Sequence, residues 1–265
     1  MGASENIVVV RRFDARATYY GPNRAEDSQL NQFQDSTIPL LAKYIVGRDL
    51  FAIYPCASGN LRDFWVEKFI PTIDVQTVQW FAAQMVGIIG AVCSLRPQGR
   101  YTLYMEPDPK RILWFRSFGP QGRLVVSDLT LVRFHEEGSS LRPRSLRPRH
   151  FDYEAPEAIT QSYPGQFDWG HRATWTLGCV FLELLTWLLG GEVLREDFET
   201  RRDLASGRSK SGHNRTQSQA SSFFETRGSD QRVARVRPEV KQASLNAAIL
   251  SNSIIVPYED AMLTR

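Results

Sequence analysis

The apolar run Trp175–Leu189 constrains the fold more than any other part of this chain. Its apolar residues cover nearly all faces of a helix, which is typical of a helix at the centre of a core. The glycine pair Gly190 and Gly191 follows the run and predicts the end of that helix. Upstream, Ala155-Pro156-Glu157 leads through a short polar loop into the run. We therefore expect a core built around one buried helix.

The composition is that of a folded chain. With 265 residues, of which 42% are hydrophobic and 23% are charged, the chain is long enough for one large core or two lobes. Its net charge of +3 comes mostly from arginines crowded into two segments rather than from a uniform basic surface. We therefore expect no nucleic-acid partner.

The termini and cysteines indicate the cellular compartment. Residues 1–6 lack the basic start and apolar run of a signal peptide, and the longest apolar run, near Trp175–Leu189, is shorter than the ~20 residues that cross a bilayer. Cys56, Cys93 and Cys179 are far apart and lack metal-ligand spacing, which favours buried free thiols over a disulfide or a zinc site. We expect a soluble intracellular protein, cytoplasmic or nuclear, with no membrane partner.

The first 55 residues are predicted to form a small α+β lobe. Ile7 to Phe13 and Asp49 to Tyr54 are short runs of β-branched and aromatic residues, which predict strands. Between them, Arg24 to Phe33 is polar, with Leu30 and Phe33 at helical spacing.

A second lobe is predicted over residues 56–198. It begins with a long helix from Val75 to Cys93, where apolar residues recur at helical spacing. Two strand candidates, Arg111 to Phe115 and Arg123 to Ser127, flank a turn-rich segment at 117–122 and predict a hairpin.

Three segments depart from this pattern. Residues 140–149 repeat the pentapeptide Ser-Leu-Arg-Pro-Arg, in which proline excludes regular structure. Residues 199–241 are rich in Arg, Ser, Gln and Gly, with few apolar residues apart from Phe223 and Phe224, and are predicted to be disordered. Residues 242–265 contain apolar residues whose spacing does not decide between helix and strand.

The order of these elements, from about Asn6 to Gly191, resembles the protein kinase family. In that resemblance Ala155, Pro156 and Glu157 close an activation segment of about 128–157, and Trp175 and Gly178 belong to the buried helix that opens Trp-Thr-Leu-Gly-Cys. The resemblance implies a two-lobed α+β fold with a reduced N-lobe and a mainly helical C-lobe. It also implies a buried arginine partner for Glu157, with Arg235 and Arg237 as candidates.

For a kinase the implied cofactors are ATP and Mg²⁺. The small lobe lacks several of the residues with which a kinase binds the phosphates of ATP. The lysine that grips the phosphates falls at Arg11, whose planar guanidinium is not a conservative replacement. Glu26 is the best match to the partner carboxylate of that lysine. There is no room before Ile7 for the two strands that carry a glycine-rich phosphate loop.

The large lobe departs further. The catalytic base falls at Glu106, the phosphate-facing lysine at Asp108, and the asparagine that holds the second magnesium at Arg111. Asp128 is retained as a magnesium ligand, followed by Leu129-Thr130 where a kinase has Phe-Gly. Reversed or added charge at such positions removes electrostatic interactions that stabilise the transition state, each commonly worth ~3 kcal/mol.

The resemblance therefore predicts a catalytically impaired pseudokinase that acts as a binding or scaffold module for a protein partner. One alternative is a weakly active serine/threonine kinase that transfers the ATP γ-phosphate to protein substrates, with Glu106 as base and Asp128 on magnesium. Another is an interaction protein whose basic segment, Arg142 to Arg149 or the Ser/Arg tail, docks acidic proteins or accepts phosphate at Ser145.

Overall fold

The computed structural model describes residues 7–14, 36–68, 72–94, 101–103, 107–127, 134–136, 151–156, 169–205, 222–227 and 233–246. The chain divides into two compact units, the first formed by Met1–Glu67 with Asp74–Ser145, and the second by Lys68–Ile73 with Leu146–Arg265. Helices and small antiparallel sheets occur along the chain, so the α+β class is confirmed.

The first unit begins with a three-stranded antiparallel sheet in the order β1-β3-β2. The strands are β1 (Val8–Asp14), β2 (Ala42–Val46) and β3 (Asp49–Pro55), so both strands predicted here are confirmed and β2 is added to them. Gly47, at φ 61°, makes the tight turn between β2 and β3, a conformation that glycine adopts without strain. The helix predicted at 24–33 lies outside the described residues.

The predicted long helix and hairpin lie in the same unit. Strand β4 (Gly59–Asn60) leads into α1 (Leu61–Glu67), and α2 spans Val75–Ser94. The remaining strands are β5 (Tyr101–Leu103), β6 (Ile112–Phe115), β7 (Arg123–Val126) and β8 (Phe134–Glu136), with sheet orders β4-β6-β7 and β5-β8. The hairpin β6–β7 and helix α2 therefore agree with the sequence prediction.

Helix α2 is fixed at its start and along one face. Asp74 precedes it and accepts a hydrogen bond from Thr77 N–H at 2.8 Å, and the hydrogen bonds from Thr77 lower the pKa of this carboxyl group. Further along, Trp80 Nε1 donates to Gly122 O at 2.7 Å, and Gln84 Oε1 accepts from Leu124 N–H at 2.8 Å. These two side chains attach the helix to the hairpin.

The boundary between the units differs from the lobe boundary predicted at residue 55. Val126 N–H donates to Ser36 O at 2.9 Å, and Ile38 N–H donates to Val126 O at 3.2 Å. These bonds join the segment before β2 to the hairpin, although the prediction assigned them to different lobes. The first unit therefore continues to about residue 145.

The second unit is organised by α3 (Trp169–Ala205), two helices that meet at Gly191. Gly191 has φ 68° and ψ −164°, so the predicted helix does end at the glycine pair, but a further helix follows at once. Strands β9 (Phe224–Arg227) and β10 (Val233–Val236) pair antiparallel, and residues 238–246 form helix α4.

The prediction of disorder over 199–241 is therefore wrong for its described parts. Phe223 and Phe224 are each only 1% exposed, and Arg202, which composition alone assigns to a solvated tail, is also 1% exposed. Few apolar residues suffice here because these two aromatic side chains and one paired arginine are completely buried.

The cysteines also differ from expectation. Cys179, on α3, is buried as predicted, whereas Cys56 and Cys93 are exposed. Cys56 lies in the connector after β3, and Cys93 lies near the end of α2. All three are free thiols.

Two helices in the described part of the chain are long and apolar enough to cross a membrane, by length and composition: Val75–Cys93 and His171–Leu204. Core helices of soluble proteins meet the same criterion. The absence of a membrane partner stays a prediction.

Candidate functional site

Asp108 is a structural cap at the position that the kinase resemblance assigns to a phosphate-facing lysine. It precedes the 3₁₀ helix Pro109–Arg111, and its Oδ1 accepts a hydrogen bond from Lys110 N–H at 2.8 Å. Its carbonyl oxygen accepts from Arg111 N–H at 2.9 Å. Proline at the first helical position suits such a start, because the missing N–H has no intrahelical partner to lose. Asp108 is only 4% exposed.

Arg111 is the direct ionic partner of Asp108. Arg111 Nε lies 3.3 Å from Asp108 Oδ2, and the two side chains are 16% and 6% exposed. The pair is therefore largely desolvated, so each charge compensates the other.

The backbone of Arg111 also fixes the entry to the predicted magnesium-binding turn. Its carbonyl oxygen accepts from Ser127 N–H at 2.7 Å and from Ser127 Oγ at 2.8 Å. Asp128 follows Ser127 directly in sequence and lies outside the described residues, as do Glu26, Glu106 and Glu157.

Arg11 lies on a different sheet from the Asp108–Arg111 pair. It is half-buried on β1, opposite Ala52 of β3, and Lys43 of β2 lies opposite Ala52 on the other side. Residues directly opposite in adjacent strands share a face, so two cations flank a small residue on this face of the sheet. Of the described candidate residues, only Asp108 and Arg111 are brought into contact with each other.

In the second unit, the segment before the Ala-Pro element is attached to α3 through Tyr153, two residues before Ala155. The 3₁₀ turn Phe151–Tyr153 precedes this element. Tyr153 OH donates to Glu183 Oε2 at 2.6 Å, and Tyr153 O accepts from Thr176 Oγ1 at 3.1 Å. Ala155 is 2% exposed and Pro156 is half-buried. This anchoring agrees with a structural role for the element.

The two helix residues singled out from the sequence behave differently. Trp175 packs edge to face on Phe224, with ring centroids 5.9 Å apart. Gly178 is exposed, and a Cβ added there meets nothing within 4 Å. Packing therefore explains why a large aromatic residue occupies position 175, but it does not explain why glycine occupies position 178.

The most buried charged cluster among the described residues was not identified from the sequence. Arg202 Nη2 donates to Glu183 Oε1, and the guanidinium lies over the rings of Phe198 and Phe223, 4.4 and 3.9 Å from their centroids. Among the described residues, Arg202 Nε and Nη1 have no hydrogen-bond partner, so the two ring faces are their neighbours. One signal was available: Glu183 is the only charged residue in the apolar run 175–189.

The arginines proposed as partners of Glu157 are in different environments. Arg235 is exposed on β10, whereas Arg237 is 4% exposed and its Nε donates to Phe224 O at 3.1 Å. Burial lowers the pKa of Arg237, opposed by Glu225 and Glu239. Since Glu157 lies outside the described residues, its partner stays a prediction.

No group of three or more His, Cys, Asp or Glu side chains that would hold a metal ion occurs within the described ranges. No family model matches the sequence, and a search of curated proteins finds no similar chain. We therefore infer a function from the residues themselves.

Proposed function

We propose that this chain is a protein kinase-like binding module that does not transfer phosphate and that acts by engaging a protein partner. The observation that carries this proposal is the desolvated ion pair between Asp108 and Arg111. In the resemblance, these are the positions of a phosphate-facing lysine and a magnesium-binding asparagine.

The ion pair opposes both functions of that loop. A carboxylate at the lysine position repels phosphate, and a guanidinium at the asparagine position repels Mg²⁺. The described residues at these positions therefore do not fit magnesium nucleotide. Releasing Arg111 toward a ligand leaves the Asp108 carboxylate, which is 6% exposed, buried without its cation, at a cost of about 3–5 kcal/mol. The pair stabilises the loop instead of opening it to a ligand.

Thermal unfolding of the full chain, with and without ATP and Mg²⁺, tests the proposal. A ligand that binds only the folded state stabilises it, by about 2.7 kcal/mol at a hundredfold excess over its dissociation constant. We expect no magnesium-dependent rise in the melting temperature of the unmodified chain and no phosphate transfer to added protein. A magnesium-dependent rise together with phosphate transfer contradicts the proposal.

Two double variants distinguish a kinase-like loop that has lost its ligand-binding residues from a loop that does not resemble that of a kinase. Asp108→Lys with Arg111→Asn restores the residue types that the resemblance assigns to the loop, and we expect a magnesium-dependent rise to appear. The matched control, Asp197→Lys with Arg201→Asn, makes the same charge changes at an exposed i,i+4 ion pair and should show none. If both double variants behave as the unmodified chain does, the resemblance at this loop loses its support.

A further inference from the structure

We draw no further inference here: the strongest candidate, the exposed apolar face of helix α2 formed by Val75, Val78, Val86 and Ile89, carries no proposal because nothing in the described part of the structure shows what covers it.

Discussion

Glu183 and Arg202 form an ion pair across the kink in α3, with side chains 0% and 1% exposed. They are 19 residues apart in sequence. In a straight helix this separation corresponds to about 28 Å, so contact requires the two halves of α3 to fold back on each other. Gly191 makes this possible, because its φ of 68° is one that other residues rarely adopt. The buried pair and the glycine thus define one helical hairpin.

Replacing Arg202 should destabilise the second unit strongly. Arg202→Ala leaves the Glu183 carboxylate buried without its cation, which costs about 3–5 kcal/mol in the free energy of unfolding. Urea unfolding of the full chain measures the change. The adjacent Arg201→Ala provides the control, because its ion pair with Asp197 has side chains 66% and 46% exposed and contributes less than about 1 kcal/mol. Equal effects of the two substitutions would contradict the buried pair.

Phe223 should be as important as a residue of the central core. Its ring lies 5.8 Å from that of Tyr153 and 6.0 Å from that of Phe198, and it is 1% exposed. Phe223→Ala should cost about 3–5 kcal/mol, measured as the shift of the urea midpoint. Leu245→Ala is the control on α4, where the side chain is 57% exposed. If Phe223→Ala is as mild as Leu245→Ala, the prediction of disorder for this segment is restored.

The locally encoded elements could be predicted from the sequence. The helix predicted from Val75 to Cys93 agrees with α2 within one residue, since helical spacing is a property of neighbouring residues. The hairpin agrees for the same reason, because its turn lies between its strands in sequence. By contrast, the sequence of β2, Ala-Lys-Tyr-Ile-Val, does not alternate apolar with polar residues, so periodicity does not identify it as a strand.

The remaining features depend on contacts between distant residues. Composition assigns Arg202 and Phe223 to a solvated segment, and only the return of α3 at Gly191 brings Arg202 to Glu183. At the candidate site, the sequence identifies Asp108 and Arg111 as unsuitable for a kinase loop. Their desolvation and mutual pairing are visible only in the structure.

Two glycines in the turn between β6 and β7 should differ in how much stability is lost when each is replaced by alanine. Gly122 has φ 82°, and an added Cβ would lie 2.4 Å from Trp114 Nε1 and 2.7 Å from Phe115 O. Gly119 has φ 80° with nothing within 4 Å. Gly119→Ala should therefore cost only the backbone strain of about 1–2 kcal/mol, whereas Gly122→Ala should cost clearly more. Thermal unfolding of both variants gives the comparison, and a smaller loss for Gly122→Ala would contradict the packing of the turn.

Stability should fall at high pH because of Cys179. Burial raises the pKa of this thiol well above its ordinary value, with Arg202 opposing the shift and Glu183 adding to it. The folded thiol therefore stays protonated where the unfolded thiol, with a pKa of about 8.5, ionises. Its contribution is complete below pH ~8.5 and is lost above it, by up to about 1.4 kcal/mol per pH unit. Urea unfolding at successive pH values should show a shallower loss in Cys179→Val than in the unmodified chain. Cys56→Val, which removes an exposed thiol, should keep the steeper loss. Parallel pH profiles for all three proteins would contradict the prediction. They would mean that burial does not raise the pKa of Cys179 in the folded chain.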